Sequence, residues 1–414
     1  MVKYLLPLVV AAWPAYAQAE IEPSAPLTLQ AALALTLAGG ANAELAAARH
    51  ELGALDGAVQ QAGLLPNPTL SVERLDTRRS DSDRRETTLQ LSQPLELGGK
   101  RAARVQAAER GRDSAAAELA LRRAAIRAAV IDGWFAVLAA QEQLRLAQQA
   151  AELAQRAAGA TARRVVAGKV SPVEQTRARV AASSVQLELI RARSLLAGAR
   201  QRLATLWGNP APRFERVDGA IATLSQLPEL APAEAMRGRL QGAPALALAR
   251  SELARRQALA QVELSKRTPD LTLNVGGKRS QELGRTQALF GISLPLPLFD
   301  RNQGGVLESA RRVDQARDEL AATALRLEAE LAQAREEFDV ARQQAQALRA
   351  DILPGAQSAY EAASTGFEYG KFGFLDVLDA QRTLLQAQTL YLNALADAHR
   401  ALAVIGRILG EDHE

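Results

Sequence analysis

The stretch LLPNPTLSVE (64–73) returns later in the chain as RTPDLTLNVG (267–276), and in both copies a proline precedes an alternating run of apolar and polar residues. A second stretch, GKVSPVEQTRARV (168–180), returns as GKFGFLDVLDAQR (370–382). The two pairs keep nearly the same spacing, and a repeat of about 200 residues is far longer than the repeats of solenoid proteins. The sequence therefore predicts two similar halves that form one pseudo-symmetric protomer.

The amino terminus has the layout of a secretory signal peptide. Lys3 precedes an apolar stretch (4–13) that is too short to span a membrane, and small residues up to Ala17 and Ala19 offer two cleavage positions. We therefore predict a signal peptide over residues 1–19 and export of the remaining chain. The 414 residues contain no cysteine, which excludes disulfides and a lipid-anchored start.

The composition argues against a nucleic-acid partner and against an enzyme. Lys and Arg number 50 against 46 Asp and Glu, and aromatic residues make up only 4% of the chain. Nucleic-acid recognition needs a clustered basic patch with stacking aromatics, so we assign the charges to solvated helix faces. The sequence also lacks a nucleophile elbow, a phosphate-binding loop and a metalloprotease helix, and we expect no catalysis.

Each half has the same predicted order of elements: a helix, two short strands, a long helix, a glycine-rich tip and a return helix. The strands follow from period-two alternation, and the tips from glycines that permit a sharp reversal. Hydrophilic loops at 77–86 and 278–285 join the strands. The predicted boundaries are a first repeat at 20–208 with strands 69–76 and 87–95 and a tip at 168–172, a linker at 209–240, and a second repeat at 241–414 with strands 270–277 and 286–295 and a tip at 366–373.

The long helices carry a coiled-coil pattern, because apolar residues recur every seven positions from Val306 to Leu348. We expect each long helix to fold back as an antiparallel hairpin. No run of 18 apolar residues follows the signal peptide, so we expect no transmembrane helix. If the chain crosses a bilayer, it does so with strands. Four strands cannot close a barrel, which needs at least eight, so several copies must each contribute four.

With its duplication, strand pairs and helical hairpins, the chain resembles the outer-membrane efflux proteins of the TolC family. Within that family, QPLELGGKRAAR (93–104) is similar to the outer-membrane components of cobalt-zinc-cadmium efflux systems. The resemblance implies a mainly α fold with membrane β: a homotrimer whose twelve-stranded outer-membrane barrel takes four strands per protomer. A long α-helical coiled-coil tunnel continues this barrel into the periplasm.

The resemblance also implies partners and a cargo. The partners are a periplasmic adaptor protein and an inner-membrane proton-driven transporter of the RND type, and the cargo is a divalent heavy-metal cation. Two alternatives stay open. The duct could export drugs, or a protein by type I secretion. An exported coiled-coil structural or adaptor protein without a pore is the second alternative.

Asp376 and Asp379 lie three residues apart just after the second tip and so share a helix face. Acidic residues also favour a helix N-terminus for purely electrostatic reasons. The resemblance gives them a sharper role, because they match paired aspartates that ring the closed periplasmic mouth in the best-known family member. We expect three copies to place six carboxylates around the axis.

The rest of this gate departs from that member. Phe367 and Phe372 stand where it has a tyrosine and an arginine that hold the tip closed, and Glu174 stands at the position of an acidic partner. Without the arginine, Glu174 cannot make the same ion pair. Lys371 is a neighbouring substitute, and apolar contacts of the phenylalanines are another way to close the tip.

The tips themselves consist of Gly168 with Lys169 and Gly370 with Lys371. Plain turn chemistry accounts for the glycines. The resemblance adds that exposed tips dock the helical hairpin of the adaptor, and the two roles are compatible.

No metal site or cofactor is expected in this subunit. The histidines are His50, His399 and His413, and none belongs to a cluster with ligand spacing. His399 follows leucines at seven-residue steps, which predicts a packing role. Selectivity for a metal cargo would then lie in the inner-membrane pump.

Overall fold

The computed structural model describes residues 22, 26–37, 41–79, 82–281 and 284–410. The predicted signal peptide and His413 lie outside these residues. Helices dominate the described chain, and a four-stranded sheet interrupts them. The helices are α1 (Leu29–Leu37), α2 (Ala43–Ala62), α3 (Lys100–Val166), α4 (Pro172–Thr205), α5 (Ile221–Leu224), α6 (Ala233–Arg239), α7 (Pro244–Ser265), α8 (Gln303–Ala347), α9 (Leu353–Glu368) and α10 (Phe374–Leu409).

The four strands form one antiparallel sheet in chain order. They are β1 (Thr69–Arg79), β2 (Ser82–Leu95), β3 (Leu271–Ser280) and β4 (Arg285–Ser293). The predicted hydrophilic loops at 77–86 and 278–285 are therefore longer than the loops in the structure, because β-sheet hydrogen bonding continues through most of these residues. Opposite charges meet across the strands there: Arg85 Nε lies 3.7 Å from Asp76 Oδ2, and Lys278 Nζ lies 2.6 Å from Glu86 Oε2. Such pairs stabilise a sheet, so polarity alone did not end the strands.

A single π-helical turn separates α8 from α9. This turn covers Leu348–Ile352, and Pro354 follows it in the first turn of α9. Proline lacks an N–H and clashes with the carbonyl four residues earlier, and a wider turn relieves both problems. The helical path can therefore continue past this proline, beyond the seven-residue repeat that ends at Leu348.

The described chain divides into two compact units, and each draws segments from both predicted halves. The first unit contains residues up to 43 with 126–229 and 336–403, and the second contains 44–125, 230–335 and the residues from 404 onward.

The core of the first unit includes the beginning of the predicted linker. Phe214 is fully buried, and Val217 forms a parallel bridge with Leu27. Trp134 Nε1 donates a hydrogen bond to the carbonyl of Leu27 at 2.9 Å. The segment after residue 209 is thus packed against helices of the first unit.

Glu22 holds this segment in place. Its carboxylate accepts hydrogen bonds from Trp207 Nε1 and Asn209 Nδ2, each at 2.7 Å, and from the backbone N–H groups of Arg213 and Phe214. Burial raises the pKa of the Glu22 carboxyl, but the four donors outweigh burial and hold the pKa below its usual range.

The core of the second unit forms around the end of the linker. Met236 and Leu240 pack with Leu331 of α8 and with Ile405 and Ile408 of α10. Both ends of the predicted linker are therefore anchored by apolar burial, each within its own unit.

One 18-residue window in α3 has a mean hydropathy of 1.3 and meets, by length and composition alone, the requirement for a membrane span. The sequence predicts no membrane-spanning helix, and the alanine-rich composition of α3 accounts for the difference. Core helices meet the same requirement. Val130, Val137 and Leu138 of α3 are fully buried inside the first unit, so we assign this apolar stretch to packing.

Candidate functional site

The sheet presents one apolar face that none of the described residues covers. Leu70, Leu91, Val275 and Phe290 are paired in register across all four strands, and all four side chains are exposed. Phe290 exposes 81% of its surface. A row of large apolar side chains in water is unfavourable, because burial of each is worth about 1.5–3 kcal/mol. This face therefore fits a lipid environment.

The opposite face of the sheet is polar. Asn274 Oδ1 accepts hydrogen bonds from Gln90 Nε2 at 3.1 Å and from Ser92 Oγ at 2.7 Å. Glycine follows at 276, where a Cβ would lie 2.4 Å from the carbonyl oxygen of Leu89, so the strands approach closely there. Alternation of apolar and polar faces is the pattern of a membrane barrel with a water-filled interior.

In the part of the chain that the structure describes, β1 and β4 are the edge strands of this sheet. Open strand edges cannot remain unpaired in lipid, because each free N–H or C=O costs several kcal/mol. Four strands are also too few to close on themselves. A membrane location therefore requires further strands from other copies of the chain.

The first tip is a glycine-terminated helix end between α3 and α4. Gly168 has a φ of 70°, which is left-handed, and Lys169 N donates to the carbonyl of Arg164 at 2.9 Å. Gly168 N donates to Val165 O at 2.9 Å. These two bonds define a Schellman motif, which satisfies the last carbonyls of a helix and needs glycine at this position.

The second tip, between α9 and α10, repeats this motif atom for atom. Gly370 has a φ of 71°, Lys371 N donates to Gly366 O at 2.8 Å, and Gly370 N donates to Phe367 O at 3.0 Å. The two lysines and the two left-handed glycines are exposed. Turn chemistry thus explains the glycines at both tips, and it leaves the lysines free to meet solvent or a partner.

The helices that leave the two tips begin differently. In α4, the Ser171 hydroxyl caps the helix by accepting from Val173 N, and Glu174 pairs with Arg177 at 3.1 Å. The predicted substitute pair of Glu174 with Lys371 is not what the structure records, because the arginine three residues ahead on the same helix face reaches the carboxylate first.

In α10, the carboxylate of Asp376 performs the capping. Its Oδ2 accepts from Gly373 N at 2.8 Å, as expected of an acidic residue in a first helical turn. Asp379 follows on the same face, and both aspartates are exposed. Two carboxylates therefore stand where the first repeat has Glu174 and Arg177, and this face keeps two negative charges.

An arginine joins the two tips. The guanidinium of Arg164 lies 4.2 Å from the ring centroid of Phe367, and its Nη2 donates to the Phe367 carbonyl at 2.8 Å. Phe372 packs on Gly366, where any Cβ would overlap its ring. Phe367 and Phe372 thus both serve contacts at the tip, and the cation is supplied by the first repeat.

Sequence reasoning missed Arg164 and Arg177. The duplication carried a signal for Arg177 alone, because aligning the tip glycines places it opposite Asp379, whereas Arg164 falls opposite Gly366, which names no partner for it. A comparison of charge at equivalent positions would have found the second residue. The first needed the packing of α3 against α9.

The histidines do not gather into a site. His399 is buried and stacked on Phe135 with ring centroids 3.7 Å apart, and one ring nitrogen lies 2.8 Å from the Leu224 carbonyl. Burial lowers the pKa of His399, partly offset by that hydrogen bond. His50 is exposed on α2. Across the described ranges, no three His, Cys, Asp or Glu side chains are grouped as metal ligands.

The motif QPLELGGKRAAR forms the junction between β2 and α3. Lys100 Nζ and Leu97 N both donate to Asp270 Oδ1, at 2.7 and 3.1 Å. The guanidinium of Arg104 binds Glu96 through two nitrogens, at 2.5 and 3.1 Å. The Arg104 hydrogen bond lowers the pKa of Glu96. The motif that carries the metal-system resemblance therefore has a structural role at the end of a strand.

Amphipathic strands with open edges, joined to long helical hairpins with glycine tips, define a channel subunit of the outer membrane. The chain belongs to the outer membrane efflux protein family, whose sequence pattern matches it twice, at residues 34–209 and 237–411. The two matches correspond to the duplication and leave the middle of the linker unmatched.

The chain is also similar to two curated relatives and to one solved structure. It is 47% identical over 389 residues to the cobalt-zinc-cadmium resistance protein CzcC of Cupriavidus metallidurans, covering 94% of this chain and 91% of that protein. The nickel and cobalt resistance protein CnrC of the same organism is 28% identical over 314 residues, covering 75% and 72%. The CmeC outer membrane channel of Campylobacter jejuni shares the fold with a TM-score of 0.79 at 18% identity, covering 92% and 85%.

Proposed function

We propose that this protein is the outer-membrane exit duct of a tripartite efflux pump that exports divalent heavy-metal cations such as cobalt, zinc and cadmium. The observation that supports this choice of cargo is the 47% identity, over nearly the full length, to a cobalt-zinc-cadmium resistance protein. A relative named for pyoverdine export is only 28% identical over a shorter stretch. The duct has no chemical step: it gives the cargo a continuous aqueous path across the outer membrane.

The working unit in this proposal is a homotrimer. Three protomers would supply twelve strands, which is enough to close a barrel whose apolar row faces lipid and whose polar row faces water. The long helices would continue the duct into the periplasm. An inner-membrane RND transporter would drive transport, and a periplasmic adaptor would join the two.

The tips form the periplasmic end in this proposal. Asp376 and Asp379 supply two carboxylates per protomer, and six around an axis would attract cations into the mouth. Arg164, Phe367 and Phe372 would hold the tip closed. The exposed tip residues Gly168, Lys169, Gly370 and Lys371 would dock the adaptor.

Gene deletion tests the cargo. We expect the deletion strain to lose tolerance to zinc, cobalt and cadmium, and complementation with the intact gene to restore it. A drug panel measured in parallel is the control. Unchanged metal tolerance with increased drug sensitivity would contradict the metal assignment and favour a drug duct.

Detergent extraction tests the assembly. We expect the mature protein to need detergent, to run as a trimer in size-exclusion chromatography with light scattering, and to conduct ions in planar bilayers. A water-soluble monomer after signal-peptide removal would contradict the channel.

A further inference from the structure

The segment that follows β4 leaves large apolar side chains exposed among the residues that the structure describes. Leu296 exposes 71% of its surface, Leu298 65% and Phe299 92%. We name residues 294–299 the β4 hook. Such exposure in an ordered segment marks an interaction site.

Hydrogen bonds hold the backbone around the β4 hook. Leu298 N donates to Leu296 O at 2.8 Å, and Arg301 Nε donates to Pro297 O at 3.1 Å. Gln303 Nε2 donates to Phe299 O at 3.2 Å. The apolar side chains are therefore presented in a fixed arrangement, which lowers the entropic cost of binding.

A notch at the other edge of the sheet matches the β4 hook. It lies at the corner between α2 and β1, has a volume of about 470 Å³, and is lined by Ala62, Leu64, Leu65, Pro66, Glu96 and Arg104. Arg104 also donates to the carbonyls of Ala62 and Leu64, at 3.0 and 3.2 Å, and so fixes the backbone of this corner. Leu65 is 66% exposed.

The sheet places the β4 hook and this notch at the same end. Thr69 at the start of β1 lies in the same cross-strand row as Gly291 near the end of β4, through Ser92 and Asn274. When copies join edge to edge, β4 of one copy lies beside β1 of the next. The residues just after β4 then meet the residues just before β1 of the neighbour.

The protomer contains an internal version of this junction. The residues after β2 pack on the residues before β3: Gly98 fits against Thr268 so closely that a Cβ on Gly98 would lie 2.5 Å from Thr268 Cβ. Aligning the repeats on Pro94 with Pro295 and on Pro66 with Pro269 places Phe299 at the position of Gly98 and Leu65 at that of Thr268. The small residues Gly98 and Thr268 at the internal junction thus correspond to the large apolar residues Phe299 and Leu65 at the two open edges of the sheet.

From this correspondence we propose that the β4 hook of each protomer docks into the α2–β1 notch of the next copy of this chain, with Phe299 against Leu65. The proposal rests on the oligomeric duct described above and names the contact that joins its subunits below the strands. Within one chain, Gly98 lets the segment after β2 pack closely on the segment before β3, and the covalent link already holds the two together. Separate copies have no such link, so large apolar side chains supply the burial that association requires.

The cysteine-free chain allows a direct test with Phe299→Cys combined with Leu65→Cys. At the internal junction the corresponding Cβ positions face each other 2.5 Å apart, and the larger side chains at the open edges should separate them towards the roughly 4 Å that a disulfide spans. After oxidation of the detergent-extracted protein, we expect a covalent ladder up to the full oligomer in denaturing electrophoresis, and its loss on reduction. Leu325→Cys combined with Leu65→Cys is the matched control, because Leu325 is also exposed at 68%, and it should stay monomeric.

An amine-reactive cross-linker applied to the same samples separates failure of the contact from failure of the oligomer. If it shows the oligomer but no disulfide forms between the two engineered positions, the docking proposal is overturned and the duct stands. If it shows only monomer, both proposals fall. Modification of the assembled Phe299→Cys variant by a lipid-soluble thiol reagent, without cross-linking, would assign the β4 hook to lipid and also overturn the docking.

A second variant measures the strength of the contact. Phe299→Ser should lower the temperature at which the oligomer dissociates in detergent, while circular dichroism of the protomer is unchanged. Leu325→Ser serves as the control for loss of an exposed apolar side chain. Equal dissociation temperatures for the two variants would contradict the proposal.

Discussion

The two tips have the same backbone and different charge. Both end a helix with a left-handed glycine followed by lysine, and their hydrogen bonds agree to about 0.1 Å. Glu174 and Arg177 neutralise each other at the first tip, whereas Asp376 and Asp379 leave two negative charges at the second. Duplication preserved the turn because only glycine adopts it cheaply, while the exposed positions after it were free to diverge. Both tips turn the chain, and in the proposed duct the attraction of cations would belong to the second tip.

Exchanging the charges should produce the largest effect. Asp379→Arg recreates at the second tip the acid–base pair of the first, so a trimer would lose its net negative ring. We expect the preference for cations over anions to fall about tenfold, because the local concentration of counter-ions follows the potential. The measurement is the reversal potential of single channels in a salt gradient.

Arg177→Asp is the matched control for that exchange. It makes the first tip doubly acidic without touching the second. If it changes selectivity as much as Asp379→Arg does, the two tips contribute equally and the asymmetry has no role in conduction.

Removing the arginine that joins the tips should act on the local stability of the second tip, not on charge selectivity. Arg164→Ala loses the contact with the Phe367 ring and a charged hydrogen bond to its carbonyl, together about 2 kcal/mol of local stability. Amide exchange in the turn around Gly370 should then accelerate about thirtyfold. The exposed neighbour Arg163→Ala is the control and should leave exchange unchanged. Equal exchange in both variants would show that Arg164 does not close the tip.

The two turn glycines should respond alike. Gly168→Ala and Gly370→Ala each force a Cβ into a left-handed conformation, and each should cost about 1 kcal/mol of unfolding free energy. Neither site has a neighbouring atom within 4 Å of the added Cβ, so strain is the whole effect. Thermal unfolding of the two variants measures it. A cost at one tip more than twice that at the other would contradict the equivalence of the turns.

The smallest expected effect is the loss of stability at low pH that arises from His399, which is buried in the unit that carries both tips. Burial lowers the pKa of His399, so the neutral ring is favoured in the folded state. The contribution of His399 to the free energy of unfolding is complete above the pKa of 6.5 that histidine has in the unfolded chain. It is lost as the pH falls through the lower pKa of the folded state. We expect the melting temperature of His399→Phe to change less than that of the unaltered protein between about pH 8 and pH 5, the range in which histidine titrates. An identical pH profile would show that His399 is not the acid-sensitive group of this core.

The sequence predicted the elements that depend on local rules. Alternation located the strands, glycine located the tips, and the seven-residue apolar repeat indicated the long helices. It misjudged the strand loops, because cross-strand ion pairs such as Lys278 with Glu86 extend the ladder through polar residues. It offered Lys371 as one possible partner of Glu174, whereas the structure pairs this carboxylate with Arg177 on its own helix.

Several features were determined by the sequence alone: the duplication, the two-faced strands and the identical glycine turns, since each depends on residues that are neighbours in the chain. Tertiary structure alone decided which side chains meet across the two halves. Arg164 reaches Phe367 only because α3 and α9 end side by side, and the β4 hook is an open surface only because the sheet ends at β4. Contacts between residues some 200 positions apart depend on packing of whole helices and strands, which no local pattern encodes.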